Sequence, residues 1–270
     1  MIVSTCYSFY TARMRAKTAF SLIELSIVLV ILGLLVGGIL AGRSLIRASE
    51  VRSVITEANR FNTATIAFRD KYFGLPGDIT NATSIWGKDT TTSAACAGAA
   101  GNAATPGTCN GDGDGYVVQY AEAFRLWQQL NLAGLLEGNY PGYISPQANT
   151  TPTVPGRDMP ASRLGNAGWT IEKLSQLSTT NYELGYSDLP DKKFNFMVLG
   201  GPNTAYWSNA PVLRPEEAWN IDTKMDDGSP ANGRLRAGPN SLFCTTAYTS
   251  DALYKMSSST IGCIVGFIFG

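Results

Sequence analysis

Residues Lys17 to Arg43 read KTAFSLIELSIVLVILGLLVGGILAGR. Between Phe20 and Gly42 the side chains are apolar or small, apart from a single carboxylate at Glu24. As a helix this run is roughly 33 Å long at about 1.5 Å per residue, which is enough to cross a bilayer core of roughly 30 Å. A carboxylate in such a span costs on the order of 2.5 to 3.5 kcal/mol on insertion scales, so we expect Glu24 to have a specific partner.

The tail before this run is basic, with Arg13, Arg15 and Lys17 and no acid. Basic residues that flank a first span favour the cytoplasmic side, so the rest of the chain is predicted to lie outside the cytoplasm. A secretory signal peptide has a similar start, but its apolar part is only about 7 to 15 residues long. The length therefore favours a membrane-spanning helix, although a plain single-pass anchor leaves Glu24 unexplained.

The segment AFSLIEL, from Ala19 to Leu25, resembles the processing site of type IV prepilins and of the related pseudopilins of type II secretion systems. The resemblance implies that a prepilin peptidase cuts between Ala19 and Phe20 and that Phe20 is then N-methylated. It also implies that Glu24 meets the new N-terminal amine in an assembled filament. The family most often has Gly before the cut, where this chain has the similarly small Ala19.

The charge on Glu24 has a physical explanation in such a filament. A free carboxylate and a free ammonium group are each costly in lipid, whereas a pair between neighbouring subunits neutralises both charges and fixes their axial register. The alternative is an acid close enough to the helix end to reach the headgroups. Whether the leader starts at Met1 or at Met14, the mature chain is predicted to begin at Phe20.

Beyond Gly42 a stripe of mostly apolar residues recurs at spacings of three or four positions, which predicts that the helix continues with an amphipathic outer half. These residues are Val51, Val54, Ile55, Ala58, Phe61, Thr65, Phe68 and Tyr72. The helix is predicted to end near Phe73, because glycine and proline follow. In the pilin family this outer half lies against an antiparallel sheet.

The fold class implied by the resemblance is α+β and type IV pilin-like, with a long N-terminal helix packed on a C-terminal antiparallel sheet. The predicted parts are a cleaved leader (1–19), a transmembrane half-helix (20–42), an amphipathic half-helix (43–73) and an extracytoplasmic globular domain (74–270). Residues 78–115 are predicted to form a long loop. The remaining predicted elements are a helix at Tyr120–Leu136 and strands at Tyr182–Tyr186, Phe194–Leu199, Leu235–Thr245 with a break, and Ile261–Phe269.

Cysteine usage changes when the leader is removed, because Cys6 goes with it and four of the five cysteines remain. In an exported chain an even set indicates disulfides, and four cysteines allow three pairings. Closeness along the chain favours Cys96 with Cys109, and likewise Cys244 with Cys263. Each such bond would stabilise the fold by roughly 3 kcal/mol in the chain-entropy model. Free thiols are the alternative.

The sequence NGDGDG, from Asn110 to Gly115, fits the opening of a calcium-binding loop. The oxygen ligands would come from Asn110, Asp112 and Asp114. The spacing of an EF-hand puts the closing acid one residue ahead of Glu122, so the loop would be non-standard. A simple Asx and glycine turn is the alternative.

A second acidic cluster lies in AWNIDTKMDDGSP, from Ala218 to Pro230. It consists of Asp222, Asp226 and Asp227, and it resembles the acidic loops of pseudopilins, some of which bind calcium between C-terminal strands. The alternative is a helix end followed by a turn with solvated acids. The sequence thus predicts Ca²⁺ as an optional ligand and requires no cofactor.

Composition excludes several functions. The chain has no histidine, which rules out Ser-His-Asp and Cys-His catalysis and His-ligated zinc. It has neither a GxSxG elbow nor a GxxxxGK[ST] phosphate loop, so only paired-carboxylate hydrolysis stays open and no enzyme is predicted. Of 21 basic and 21 acidic residues the leader removes three basic ones, which leaves a mature charge of about −3 and argues against nucleic-acid binding.

Two functions follow as expectations. The first is a structural subunit of a type IV pilus or type II secretion pseudopilus, assembled with identical or related subunits through the N-terminal helix. The second is a minor or tip subunit whose large outer domain is an adhesin or ligand-binding module. Both imply a single-pass protein of the bacterial inner membrane that is processed by the peptidase and then enters a periplasmic or cell-surface filament.

Overall fold

The computed structural model describes residues 21–89, 107–118, 122–142, 153–175, 186, 193–202, 210–238 and 243–270. The predicted cleavage site at Ala19 and Phe20 lies outside these residues, as does Cys96. Of the predicted strand Tyr182–Tyr186, only Tyr186 is described.

Along the described chain the elements are α1 (Leu22–Tyr72), α2 (Ala82–Trp86), α3 (Glu122–Leu132), β1 (Gly168–Ser175), β2 (Lys193–Gly200), α4 (Pro215–Met225), β3 (Leu235–Ala237) and β4 (Val265–Phe269). The strands form one antiparallel sheet in the order β1-β2-β4-β3. The protein is therefore α+β, with a long N-terminal helix and a C-terminal antiparallel sheet, as the sequence predicts.

Helix α1 is 51 residues long and ends one residue before the predicted position. Its last turn closes with the N–H of Phe73 donating to the carbonyl oxygen of Arg69 at 2.8 Å. Phe73 then has a φ of +58°, a left-handed conformation in which a helix cannot continue. The turn beyond it brings the chain back against α3, where the N–H of Gly77 donates to the side chain of Gln129 at 2.6 Å.

Contacts divide the chain into two compact units, residues 1–46 and Arg47–Gly270. In the described part of the first unit, the apolar side chains of α1 are exposed, with Leu22 at 88% and Leu34 at 73%. The second unit contains α2 to α4, the whole sheet and the rest of α1.

The core of the second unit forms between α1, α3 and the sheet. The ring of Phe61 lies 5.1 Å from that of Trp127 in α3 and 5.5 Å from that of Trp169 in β1. Trp169 in turn contacts Phe267 of β4, with ring centroids 5.6 Å apart. The buried residues of α1 are Val51, Val54, Ala58, Phe61, Ala64, Thr65 and Phe68, which confirms the predicted amphipathic stripe.

Strand β1 is missing from the sequence predictions. Trp169 and Ile171 are buried as expected for an inward face, but Thr170 and Glu172 on the other face are buried as well. The segment Trp169-Thr170-Ile171-Glu172 does alternate apolar and polar residues, but this signal is only four residues long, because Lys173 breaks it.

Several predicted boundaries are wrong. The predicted loop 78–115 contains α2, whose five residues are too few to show a helical period. Helix α3 ends at Leu132 rather than Leu136, because Gly134 turns the chain with a φ of +73°. The strand predicted from Leu235 is only three residues long, and the last strand begins at Val265 instead of Ile261.

Candidate functional site

The first candidate is the apolar half of α1. Among the described residues, α1 is the one helix that is long and apolar enough to cross a membrane by length and composition, and a signal sequence would meet the same criteria. None of its most apolar window is buried within the protein. These side chains therefore need an apolar environment that the chain itself does not supply.

Glu24 lies in the first turn of this helix and points back toward its start. Its Oε2 accepts a hydrogen bond from the backbone N–H of Ser21 at 2.9 Å, while the Oγ of Ser21 accepts one from the N–H of Ile23 at 3.3 Å. The contact of Glu24 is the glutamate half of a capping box, and the serine oxygen satisfies a free N–H group one residue earlier, at Ile23. The spacing Ser-x-x-Glu is typical of such a cap, so Glu24 has a local role within its own helix that was not among the sequence predictions.

A second candidate is a group of three carboxylates from three separate segments. Asp78 follows the turn after α1, Asp112 lies in the glycine-rich loop, and Glu122 begins α3. One oxygen from each lies within 4.8 Å of the other two. Asp78 and Glu122 are buried, and Asp112 is exposed. We call this group the Asp78 cluster.

Backbone N–H groups of the glycine-rich loop hold these carboxylates in place. Asp78 accepts hydrogen bonds from Gly113 at 2.7 Å and from Gly115 at 2.9 Å. Glu122 accepts one from Asp112 at 3.2 Å and, through its other oxygen, one from Val118 at 2.7 Å. The glycine-rich loop therefore binds one acid that precedes it in the sequence, Asp78, and one that follows it, Glu122.

Crowding of acids in a buried place disfavours their charged forms. The pKa of Glu122 is raised from 4.5 to about 7, and burial is the largest cause. The nearby carboxylates of Asp112 and Asp78 also raise this pKa, and two backbone hydrogen bonds oppose the shift. Burial also raises the pKa of Asp78, in spite of the N–H groups of Gly115 and Gly113. A bound cation would reverse this effect, because it favours the ionised carboxylates.

The predicted ligands of this loop do not all meet. Asp112 joins the Asp78 cluster, but the Oδ1 of Asn110 accepts a hydrogen bond from the N–H of Thr83 at 2.8 Å. Asp114 pairs with the Nζ of Lys173 at 2.9 Å. Asp78 is missing from the sequence analysis, since it lies far from the loop in sequence and no local motif marks it.

The other predicted set, Asp222, Asp226 and Asp227, does come together, with one oxygen of each within 4.8 Å of the others. We call it the Asp222 cluster. Asp222 is fully buried at the end of α4, where it accepts a hydrogen bond from the hydroxyl of Tyr254 at 2.7 Å. Burial raises the pKa of Asp222 to about 6, and the charges of Asp227 and Asp226 add to this against the Tyr254 hydrogen bond.

Both clusters fit a hard cation by donor type, since all the donors are carboxylate oxygens, which calcium and magnesium prefer. Calcium takes six to eight oxygens, so three carboxylates would supply part of a coordination sphere, with carbonyl oxygens or water completing it. The chemistry such an ion would supply here is structural: it would neutralise buried acids and tie a loop to a helix.

The cysteines support part of the predicted pattern. Cys244 and Cys263 form a disulfide, as the sequence predicts. Cys109 is buried and disulfide-bonded. Its predicted pairing with Cys96 stays a prediction, because Cys96 lies outside the described residues.

Comparisons with known proteins leave the family open. No family model, no curated protein and no solved structure matches the chain. Any function must therefore rest on the chemistry of the chain itself.

Proposed function

We propose that this protein is a structural subunit of a type IV pilus-like or type II secretion pseudopilus filament. A prepilin peptidase would cut it between Ala19 and Phe20, and it would polymerise through the apolar half of α1. The observation that carries the proposal is the exposed apolar run of α1 with one acid, Glu24, in its first turn. Such a run needs lipid before assembly and other subunits after it.

The capping contact of Glu24 supports this assignment. The carboxylate lies at the start of the helix, hydrogen-bonded to Ser21, the residue that would follow a mature N-terminal Phe20. A carboxylate that already points toward the helix start can accept a neighbouring subunit's ammonium group with little reorientation. In lipid or in a filament core this pairing would neutralise both charges.

The test compares filament yield with membrane insertion for Glu24→Leu and for a control on the same helix, Asp70→Ala. Asp70 is an exposed acid in the domain part of α1. We expect Glu24→Leu to insert and to be processed, but to yield at least tenfold fewer sheared filaments, while Asp70→Ala polymerises normally. Normal filament yield from Glu24→Leu would contradict the proposed role of Glu24 in assembly.

A minor or tip subunit with a ligand-binding outer domain is the second candidate. It is favoured by an open groove of about 240 Å³ beside α1, lined by Ser53, Thr56, Glu57, Arg60, Phe61, Tyr140, Pro160, Ala161 and Arg163. Copy number in purified filaments separates the two candidates. A major structural subunit would dominate the filament, whereas a tip subunit would be present at about one copy per filament.

Calcium binding at the two carboxylate clusters is part of the proposal. Its support is the donor chemistry and the raised pKa of the buried acids at both clusters. Calcium should raise the melting temperature of the chain in detergent, and a chelator should lower it. An unchanged melting temperature at millimolar calcium would remove the metal from the proposal.

A further inference from the structure

Arg47 makes three hydrogen bonds to residues that are distant in sequence. Its Nε donates to Oε1 of Glu217 at 2.6 Å, and its Nη2 donates to Oε2 at 2.8 Å and to the carbonyl oxygen of Val212 at 2.9 Å. Glu217 is itself held by the backbone N–H of Arg214 at 2.8 Å. The Arg47 side chain is 34% exposed and that of Glu217 14%. We call these contacts the Arg47 clamp.

The clamp is attached to a well-braced part of the domain. The N–H groups of Val212 and Leu213 both donate to the carbonyl oxygen of Cys263, at 3.0 and 3.1 Å. Cys263 is disulfide-bonded to Cys244 and lies two residues before the start of strand β4. The support of the clamp is therefore covalently cross-linked and continuous with the sheet.

The clamp lies close to the point along α1 at which its apolar side chains become buried. Arg47 is the first residue of the second unit, and the apolar side chains before it are exposed. The first buried apolar side chain of α1 is Val51, and the next is Val54. The clamp thus lies one turn, about 6 Å, ahead of the point where apolar packing alone would hold the helix.

We propose that the Arg47 clamp is a conformational device that fixes where α1 becomes part of the domain. The apolar segment before it can then change its surroundings while the helix stays attached from Arg47 onward. A bidentate guanidinium and carboxylate pair suits this role, because two parallel hydrogen bonds fix orientation as well as distance. The link to assembly rests on the proposed function. A subunit that leaves lipid for a filament must move its apolar segment while the rest of α1 stays packed on the domain.

The test is hydrogen exchange of the full chain in detergent micelles, comparing Arg47→Gln with Arg52→Gln. Arg52 is an exposed arginine on the same helix, and in the described part of the chain it makes no hydrogen bond or ion pair. We expect the amides of residues 48–54 to exchange about tenfold faster in Arg47→Gln. This increase is at the lower end of the range expected for the loss of charge-assisted hydrogen bonds, because Arg47 is partly solvated. Arg52→Gln should exchange like the wild type.

Arg47→Lys is a second variant that keeps the charge but cannot form the bidentate pair, so it should also exchange faster. Exchange in Arg47→Gln no faster than in Arg52→Gln would overturn the proposal. Wild-type exchange in Arg47→Lys would overturn the role of the bidentate geometry.

Filament yield provides a separate readout for assembly. If the wild type polymerises, Arg47→Gln should be processed normally and give several-fold fewer sheared filaments, and an undiminished yield would overturn the link to assembly. If the wild type forms no filaments at all, the proposed function fails, while the exchange measurement still decides whether the clamp exists.

Discussion

Replacing Glu122 with Gln should stabilise the protein without calcium and destabilise it with calcium. Glu122 is 7% exposed and shares its site with two other carboxylates. When no cation is bound, its charge at neutral pH works against folding. When a cation is bound, that same charge is a ligand, so its removal should weaken metal binding.

The magnitude follows from the pKa of Glu122, which burial raises from 4.5 to about 7. At about 1.4 kcal/mol per pKa unit, ionising Glu122 costs at most about 3.5 kcal/mol of folding free energy at pH 8. Glutamine keeps only one of the two acceptor oxygens that bind Asp112 and Val118, a loss of about 1 kcal/mol. The expected net stabilisation by Glu122→Gln in a chelator is therefore at most about 2.5 kcal/mol.

The pH dependence has a defined sign. Because the folded-state pKa of Glu122 lies above its ordinary value, the folded protein binds more protons than the unfolded chain between about pH 4.5 and 7. This contribution to stability is complete below that window and is lost as the pH rises through it. The pKa of Asp222, raised to about 6, adds a contribution of the same sign at slightly lower pH.

The assay is urea unfolding of the full chain in detergent from pH 5 to 8, with a chelator and with millimolar calcium. Glu137→Gln is the control, since Glu137 is an exposed acid a few residues after α3. Calcium should stabilise the wild type and the control by more than it stabilises Glu122→Gln. The reasoning is refuted if, in the chelator at pH 8, Glu122→Gln is less stable than the wild type.

Three further outcomes test the fold and the disulfide. Phe61→Ala should lower the free energy of unfolding by about 3 to 5 kcal/mol, because Phe61 fills the space between Trp127 and Trp169; a loss below 1 kcal/mol in urea titrations would contradict the packing of α1 on the sheet. Replacing Cys244 and Cys263 together by Ala should cost roughly 3 kcal/mol, and an unchanged unfolding midpoint would show that the bond contributes nothing. A non-reduced digest should contain the Cys244–Cys263 peptide pair, and recovery of either peptide joined to another cysteine would contradict that pairing.

The sequence predicts the helical part of the fold well, because α1 carries its own pattern. The buried stripe from Val51 to Phe68 follows the period of a helix, and α1 ends where glycine and proline follow Phe73. The disulfide between Cys244 and Cys263 is predicted from closeness alone. These features depend on residues that are close together in the sequence, so they can be predicted from one sequence alone.

Features that depend on distant residues are the ones that sequence reasoning misses. Asp78 meets Asp112 and Glu122 only because the turn after α1 returns to α3, and no spacing in the sequence encodes that. Arg47 and Glu217 are 170 positions apart. Strand β1 is missed for a different reason, since its apolar and polar alternation covers only Trp169 to Glu172 before Lys173 breaks it.

The proposed function requires that the chain is cut before Phe20 and assembled into a filament through α1. Intact-mass analysis of the protein in sheared surface or periplasmic filaments tests it most directly. We expect polymers whose subunit begins at Phe20 and carries one N-terminal methyl group. Recovery of the protein only from detergent-extracted membrane, with a first residue at Met1 or Met14, would contradict it.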